Sequence, residues 1–276
     1  MPLDPEPSPI DADSPQPETP STPLSPPGPE HAWNLRDLLL FIGIIPFALL
    51  ASKLLVLIGY SVLRPFMDWH EKVDVAQYGT IFLLTQQCVF YVLIVGFLFL
   101  LATLQHQEPF WRSLGWRKPT ARQVVRCLLA GGALALAAGV ALALRPDRQS
   151  FPLEQLFNSR TSAVAIGVFA ISVAPVVEEV VFRGLLFAIF ENRVGMRFAV
   201  VTTAVLFAGL HVPEYWHAWN HLVMILVVGI VLSLVRGITG SLTPSIFLHI
   251  GYNGFMIAGL LFSSQQPHST SSVWVR

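Results

Sequence analysis

The chain has 276 residues and a formal net charge of zero; 53% of it is hydrophobic, only 12% is charged, and the mean hydropathy is +0.59. Soluble domains carry about 25% charged residues, so this composition excludes an ordinary soluble domain and points to a chain that crosses a membrane several times. No strongly basic face is present, which excludes a nucleic-acid partner. The two cysteines, Cys88 and Cys127, lack paired ligand spacing and read as small buried hydrophobes.

The first segment, 1–33, holds Asp4, Glu6, Asp11, Asp13, Glu18 and Glu30, no Lys or Arg, and 11 of the 21 prolines. It cannot bury enough apolar surface to offset its chain entropy, so an extended acidic tail is expected. It starts neither basic nor apolar and does not read as a signal peptide. Apolar spans then recur at roughly 36–62, 79–104, 122–144, 162–190, 197–211, 221–236 and 242–263. A helix needs about 20 apolar residues to cross a hydrocarbon core of about 30 Å, so the first four are long enough and 197–211 and 221–236 look short. No barrel-like alternation is visible. The expected fold is all-α, a polytopic transmembrane bundle of about six to eight helices. Its divisions are the tail at 1–33, N-terminal membrane helices at 34–150, a core at 151–266 and a short tail at 267–276.

Charges in the connections give the orientation. The stretch 105–126 carries Arg112, Arg117, Lys118, Arg122 and Arg126 against Glu108, whereas 63–78 has Arg64 and Lys72 against Asp68, Glu71 and Asp74. The positive-inside rule then makes the former cytoplasmic, together with the N-terminus and the Arg193/Arg197 turn. Trp33, Trp69, Trp111, Trp116, Trp216 and Trp219 fall near span ends, where interfacial rings are expected.

Three polar constellations interrupt the last apolar spans. The first is Glu178-Glu179-x-x-x-Arg183. Each charge costs about 2.5–3.5 kcal/mol at mid-bilayer, which argues for a function. Glu179 and Arg183 stand i,i+4 in the order that favours an ion pair. Glu178 is turned about 100° away and left available as a general base. The second is Phe207-x-x-x-His211. The third is Ser245-x-x-x-His249-x-x-x-Asn253, one helical stripe from which His249 and Asn253 could donate to one oxyanion. Base, water-orienting histidine and oxyanion donors form the inventory for hydrolysing an amide. Each part also has a structural reading: a membrane histidine or Asn253 as a bond between helices, Ser245 likewise, and Glu179–Arg183 as a brace. His70-Glu71 lacks the second histidine of an H-E-x-x-H helix, and no G-x-S-x-G occurs. His211, Glu214, His217 and His221 make a rival metal set on paper, but PEYWHAWNH reads better as a membrane-surface segment.

Taken in order, these three motifs resemble those of the CAAX-processing and bacteriocin-processing (CPBP) family of intramembrane proteases. That group includes the CAAX prenyl endopeptidases and lysostaphin resistance protein A-like proteins. The resemblance covers about 160–263 and includes the R-G-x-x-G-S-L stretch from Arg236 to Leu242. It implies that Glu178 activates water with His211 as its partner, that His249 and Asn253 stabilise the oxyanion, and that Glu179, Arg183, Phe207 and Ser245 give support. The family is described both as metalloendopeptidase and as metal-independent glutamate protease. No cofactor follows with certainty; zinc could be held by Glu178, His211 and His249. The implied activity is proteolysis in the membrane, with a membrane-associated peptide or protein and the lipid bilayer as partners and a plasma-membrane location. A transporter or ion pathway would use the same buried ionisable groups. A non-catalytic scaffold or immunity-type protein would keep the fold without the chemistry.

Overall fold

The computed structural model of the chain describes residues 33–66, 75–145 and 159–263. The expected acidic tail up to Ala32, the segment 267–276, and Trp69 with its neighbouring acids lie outside the described residues. The described chain is helical, without strands: α1 (Leu35–Leu63), α2 (Val75–Leu100), the short α3 (Phe110–Ser113), α4 (Ala121–Leu144), α5 (Arg160–Glu179), α6 (Phe187–Val194), α7 (Met196–Leu210), α8 (Trp219–Thr239) and α9 (Leu242–Ser263). Among the described residues, six helical stretches are long and apolar enough to cross a membrane: 35–66, 79–105, 121–144, 160–194, 219–239 and 242–262. Their outer faces carry exposed Phe47, Val92, Leu129 and Val168, as expected where lipid rather than water is the solvent.

Sequence chemistry sets the helix starts. Asn34 accepts from the backbone N–H groups of Arg36 and Asp37, and the Asp37 carboxylate accepts from Asn34 N–H at 2.8 Å, a reciprocal cap for α1. Thr120 and Gln123 repeat the arrangement at α4. The span expected to be short at 221–236 is in fact the 21 residues of α8, because Trp219 and Asn220 join the helix and Thr239 ends it. By contrast α7 has 15 residues, about 22 Å at 1.5 Å per residue, short of a full hydrocarbon core.

Two π-helical widenings interrupt the α pattern, at Leu101–Gln105 and at Val180–Leu186, the latter directly after the paired glutamates. Phe187 N–H reaches back to Phe182 O there, so one extra residue is held in the turn. Helices α4 and α9 meet through glycines. A methyl group on Gly131 would overlap the Leu248 carbonyl oxygen, and one on Gly251 would overlap that of Leu128. The backbones therefore touch, as small residues permit in membrane bundles.

The contacts define two ends. At one, Trp33 donates its indole N–H to Ser113 O (2.8 Å), Leu242 N–H donates to Gly115 O (3.0 Å), Thr243 Oγ1 donates to Arg117 O (2.6 Å), and Gly237 lies against Met196. The start of α1, the 105–120 connection, the α6–α7 turn and the α8–α9 turn thus share an end. At the opposite end Asn220 Nδ2 donates to Arg145 O. The core lies nearer the first end and contains Leu98, Leu114, Leu185, Ile189, Leu242 and Ile246. Trp33 is part of it: expected as an interfacial ring, it is only 2% exposed and stacks edge-on against His106. Its N–H has a backbone partner, so burial leaves no polar group unsatisfied.

Candidate active site

The last turn of α5 presents Glu178 and Glu179 to α9, α7 and α2. Glu179 is fully buried. Its Oε1 accepts from Arg183 Nη1 at 2.9 Å, the i,i+4 pair expected from the spacing, and also from His249 Nδ1 at 3.1 Å. Arg183, equally buried, donates from Nη2 to Gly229 O of α8 at 2.9 Å, and its guanidinium lies 4.8 Å from the centre of the Phe207 ring. A buried pair of this kind is costly where its remaining hydrogens and lone pairs lack partners, and Glu179 Oε2 and Arg183 Nε find no hydrogen-bond partner among the described residues. The widened turn after Glu179 makes a separate, backbone contact: Arg236 Nε of α8 donates to Arg183 O at 3.1 Å.

Phe207 is the hub of the histidines. Its ring centroid lies 5.7 Å from that of His249 at an interplanar angle of 79°, and 4.7 Å from that of His211 at 54°. His211 donates from Nδ1 to the Phe207 carbonyl at 2.8 Å, so the neutral ring carries its lone pair on Nε2. The carboxylate of Glu179 likewise sets the Nδ1–H tautomer of His249. Its Nε2 then faces Glu178 Oε2 at 3.7 Å, too long for a hydrogen bond. The Glu178 side chain is 20% exposed, the one accessible acid of the pair. Its Oε1 accepts from the Tyr91 hydroxyl of α2 at 3.4 Å, a long contact, and the Tyr91 ring stacks on Phe169 of α5 at 5.8 Å and 17°.

Several expected relationships differ in detail. The two glutamates address opposite nitrogens of one imidazole rather than separate surroundings. Glu178 contacts His249 and Tyr91, and no hydrogen bond joins it to His211 among the described residues. Asn253 Nδ2 donates to Ala170 O of α5 at 2.8 Å, binding α9 to α5 and leaving one amide hydrogen for other use. Ser245 Oγ turns back onto Leu242 O of its own helix.

Tyr91 and Gly229 complete the surroundings without having stood out in the sequence as parts of a site, and Arg236, noted there only as the start of R-G-x-x-G-S-L, holds the widened turn. The signal was present in Tyr91, a phenol in the middle of an apolar span. Glu214, in the turn after α7, is a further acid: the crowding of neighbouring helices pushes its carboxyl above the ordinary range, the His211 charge pulls it down, and Glu178 pushes it up.

The described residues contain no group of three or more His, Cys, Asp or Glu side chains placed to hold a metal ion. The set Glu178, His211 and His249 does not gather into one, nor does the set around His217 and His221. As placed, these side chains do not fit zinc.

Residues 160–255 match the family model for type II CAAX prenyl endopeptidases, Rce1-like. No curated protein and no solved structure gives a match. The matched segment contains α5 to α8 and most of α9, hence all three motifs. With six apolar spans among the described residues, this is an integral, multi-pass membrane protein whose segment 160–255 is similar to the Rce1-like type II CAAX prenyl endopeptidases.

Proposed function

We propose that the protein is an intramembrane endopeptidase that hydrolyses peptide bonds of membrane-associated substrates with a water activated by Glu178. The observation that carries this reading is the position of His249 between Glu179 at 3.1 Å and Glu178 at 3.7 Å, one acid buried and neutralised by Arg183, the other partly exposed. Glu178 takes a proton from water as the oxygen attacks the scissile carbonyl. That proton moves to His249 Nε2, which then donates to the developing oxyanion while Glu179 stabilises the imidazolium. Collapse breaks the C–N bond, and the same proton passes to the leaving amine. Asn253 supplies its second amide hydrogen to the oxyanion, His211 Nε2 accepts from the attacking water, and Phe207 holds both rings in place. No step is routed through a metal.

In this reading residues 151–266 form the protease core, and the helices of 34–150 bound the site, as Tyr91 on Glu178 supports. The basic end of the bundle, with the N-terminus, faces the cytoplasm by the positive-inside rule. The test compares membrane-associated peptides from cells carrying the wild type and Glu178→Gln. Peptides generated only by the wild type are expected; identical peptide sets at equal protein levels would sink the reading.

A further inference from the structure

A cavity of about 150 Å³ lies apart from the glutamate–histidine cluster, between the start of α4 and the turn that joins α8 to α9. Three apolar spans end around it: 121–144 begins, 219–239 stops and 242–262 begins. Its rim carries Arg117, Lys118 and Gln123, all exposed. Its wall at the α8–α9 turn is polar and buried, with Ser241 at 5% and Thr243 at 2% exposure. Val124, Cys127 and Phe247, further along α4 and α9, make the rest of the lining apolar.

The two cations are held in place but not neutralised. Thr243 Oγ1 donates to Arg117 O at 2.6 Å and accepts from Arg117 N–H at 3.3 Å, which fixes the backbone that carries both basic side chains. Of the acids nearby, Glu108 lies 3.9 Å from Arg112, and the charge of Glu191 acts on Arg236. Neither Arg117 nor Lys118 forms an ion pair among the described residues. The Ser241 hydroxyl accepts from Thr243 N–H at 3.4 Å, and its own hydrogen has no acceptor among the described residues. A buried donor of this kind, lining a cavity, is left for a water or a ligand. The first turns of α4 and α9 border the same space and add the positive ends of two helix dipoles.

We propose that this cavity binds a phosphoryl group, with Arg117 and Lys118 facing its charge and Ser241 and Gln123 donating hydrogen bonds to its oxygens. The planar fork of an arginine matches two phosphate oxygens at once, and a lysine serves as a point charge beside it. Gln123 Oε1 is taken by the Thr120 cap, which leaves the amide hydrogens of its side chain for the ligand. The position at the ends of three spans and the apolar lining suit the phosphate of an anionic phospholipid, its glycerol end resting on Val124 and Phe247. A simpler role exists for one cation: Arg117 Nη2 lies 3.7 Å from where a methyl group on Gly240 would stand, beside the last carbonyls of α8. That role accounts for neither Lys118, nor the enclosed volume, nor the free hydrogen of Ser241. The site does not depend on the endopeptidase reading.

The full chain, purified in a zwitterionic detergent, is melted with increasing phosphatidylglycerol, phosphatidylcholine or inorganic phosphate, and apparent affinity is read from the dose dependence of Tm. The wild type is expected to rise in Tm with phosphatidylglycerol and not with phosphatidylcholine. In Arg117→Gln/Lys118→Gln the apparent affinity falls at least about tenfold, the scale of two lost attractions to an anionic lipid. Lys118→Gln alone, which changes one exposed side chain, weakens it about fivefold and serves if the double variant melts early. Arg122→Gln/Arg126→Gln removes the same charge from α4 outside the cavity and is expected to bind as the wild type does. A rise with phosphatidylglycerol alone assigns the cavity to a lipid headgroup. A rise with inorganic phosphate that Arg117→Gln/Lys118→Gln loses assigns it to the free ion. Equal weakening in the two double variants, or no response to either compound, leaves only a diffuse basic surface and overturns the proposal.

Discussion

Glu179 Oε1 and His249 Nδ1 lie 3.1 Å apart, joining the end of α5 to the second turn of α9 inside the bundle. The same oxygen holds Arg183 at 2.9 Å, so one carboxylate positions a cation and an imidazole at once. Its neighbour Glu178 has only long contacts. The adjacent acids therefore differ in what their loss does. Glu179→Gln leaves the Arg183 charge buried without its counter-ion, which costs about 3–5 kcal/mol. It is expected to lower the Tm of the purified protein strongly, with activity falling alongside. Glu178→Gln keeps the Tm near wild type while cleavage falls by at least about 100-fold, the scale of losing general-base catalysis. Thermal melts with a substrate assay check both. A Glu179→Gln protein as stable as wild type contradicts the assignment.

Tyr91 belongs to α2, outside the segment matched to the family, yet it reaches the partly exposed acid. Its hydroxyl lies 3.4 Å from Glu178 Oε1, so the bond is at the weak end of those made to a carboxylate. Tyr91→Phe retains the ring stacked on Phe169 and removes only the donor. The expected result is a kcat about three- to tenfold lower at unchanged KM and Tm. An unchanged kcat removes Tyr91 from the positioning of Glu178.

Much of this arrangement was legible because a bilayer demands long apolar helices, and an ionisable group within one stands out. The Glu179–Arg183 pair follows from i,i+4 spacing alone. What stayed hidden depends on tertiary partners. The π widening at Val180–Leu186 is a response to packing that no local pattern encodes. Trp33 looks interfacial by composition, yet a backbone oxygen 80 residues away accepts its N–H and allows burial. Asn253 has the same appearance as an oxyanion donor and as a bond between helices, and the Ala170 carbonyl claims one of its hydrogens. Tyr91 reads as one aromatic among many until α2 is set beside α5.

The glycine contact of α4 and α9 fixes the height at which His249 meets the glutamates. Gly131→Ala would drive a methyl group into the Leu248 carbonyl and the Tyr252 backbone, neither of which can rotate aside. Overpacking of this kind costs about 1–3 kcal/mol, and the expected outcome is a lower Tm with impaired cleavage. Gly132→Ala is the control: its nearest neighbour is the Phe255 side chain at 3.7 Å, an ordinary contact. It should be neutral or slightly stabilising, since alanine is the better helix former. Equal melting temperatures for the two variants would contradict direct backbone contact between the helices.

Glu214 yields a prediction whose sign depends on pH. Crowding by neighbouring helices raises its carboxyl above the ordinary value of 4.5, the His211 charge opposes this, and Glu178 adds to it. Because the folded protein holds this proton more tightly than the unfolded chain, the contribution of Glu214 to stability is complete at low pH. It declines as pH rises from the ordinary value through the raised one. Glu214→Gln removes a group that is unfavourable only when ionised. Its Tm should match wild type near pH 4 and exceed it only slightly near pH 8, because the Glu214 side chain is exposed and solvent screens its charge. A variant no more stable than wild type at pH 8 would contradict the raised carboxyl. Melting curves of both proteins across that range decide whether the surroundings of the turn disfavour the ionised carboxylate of Glu214.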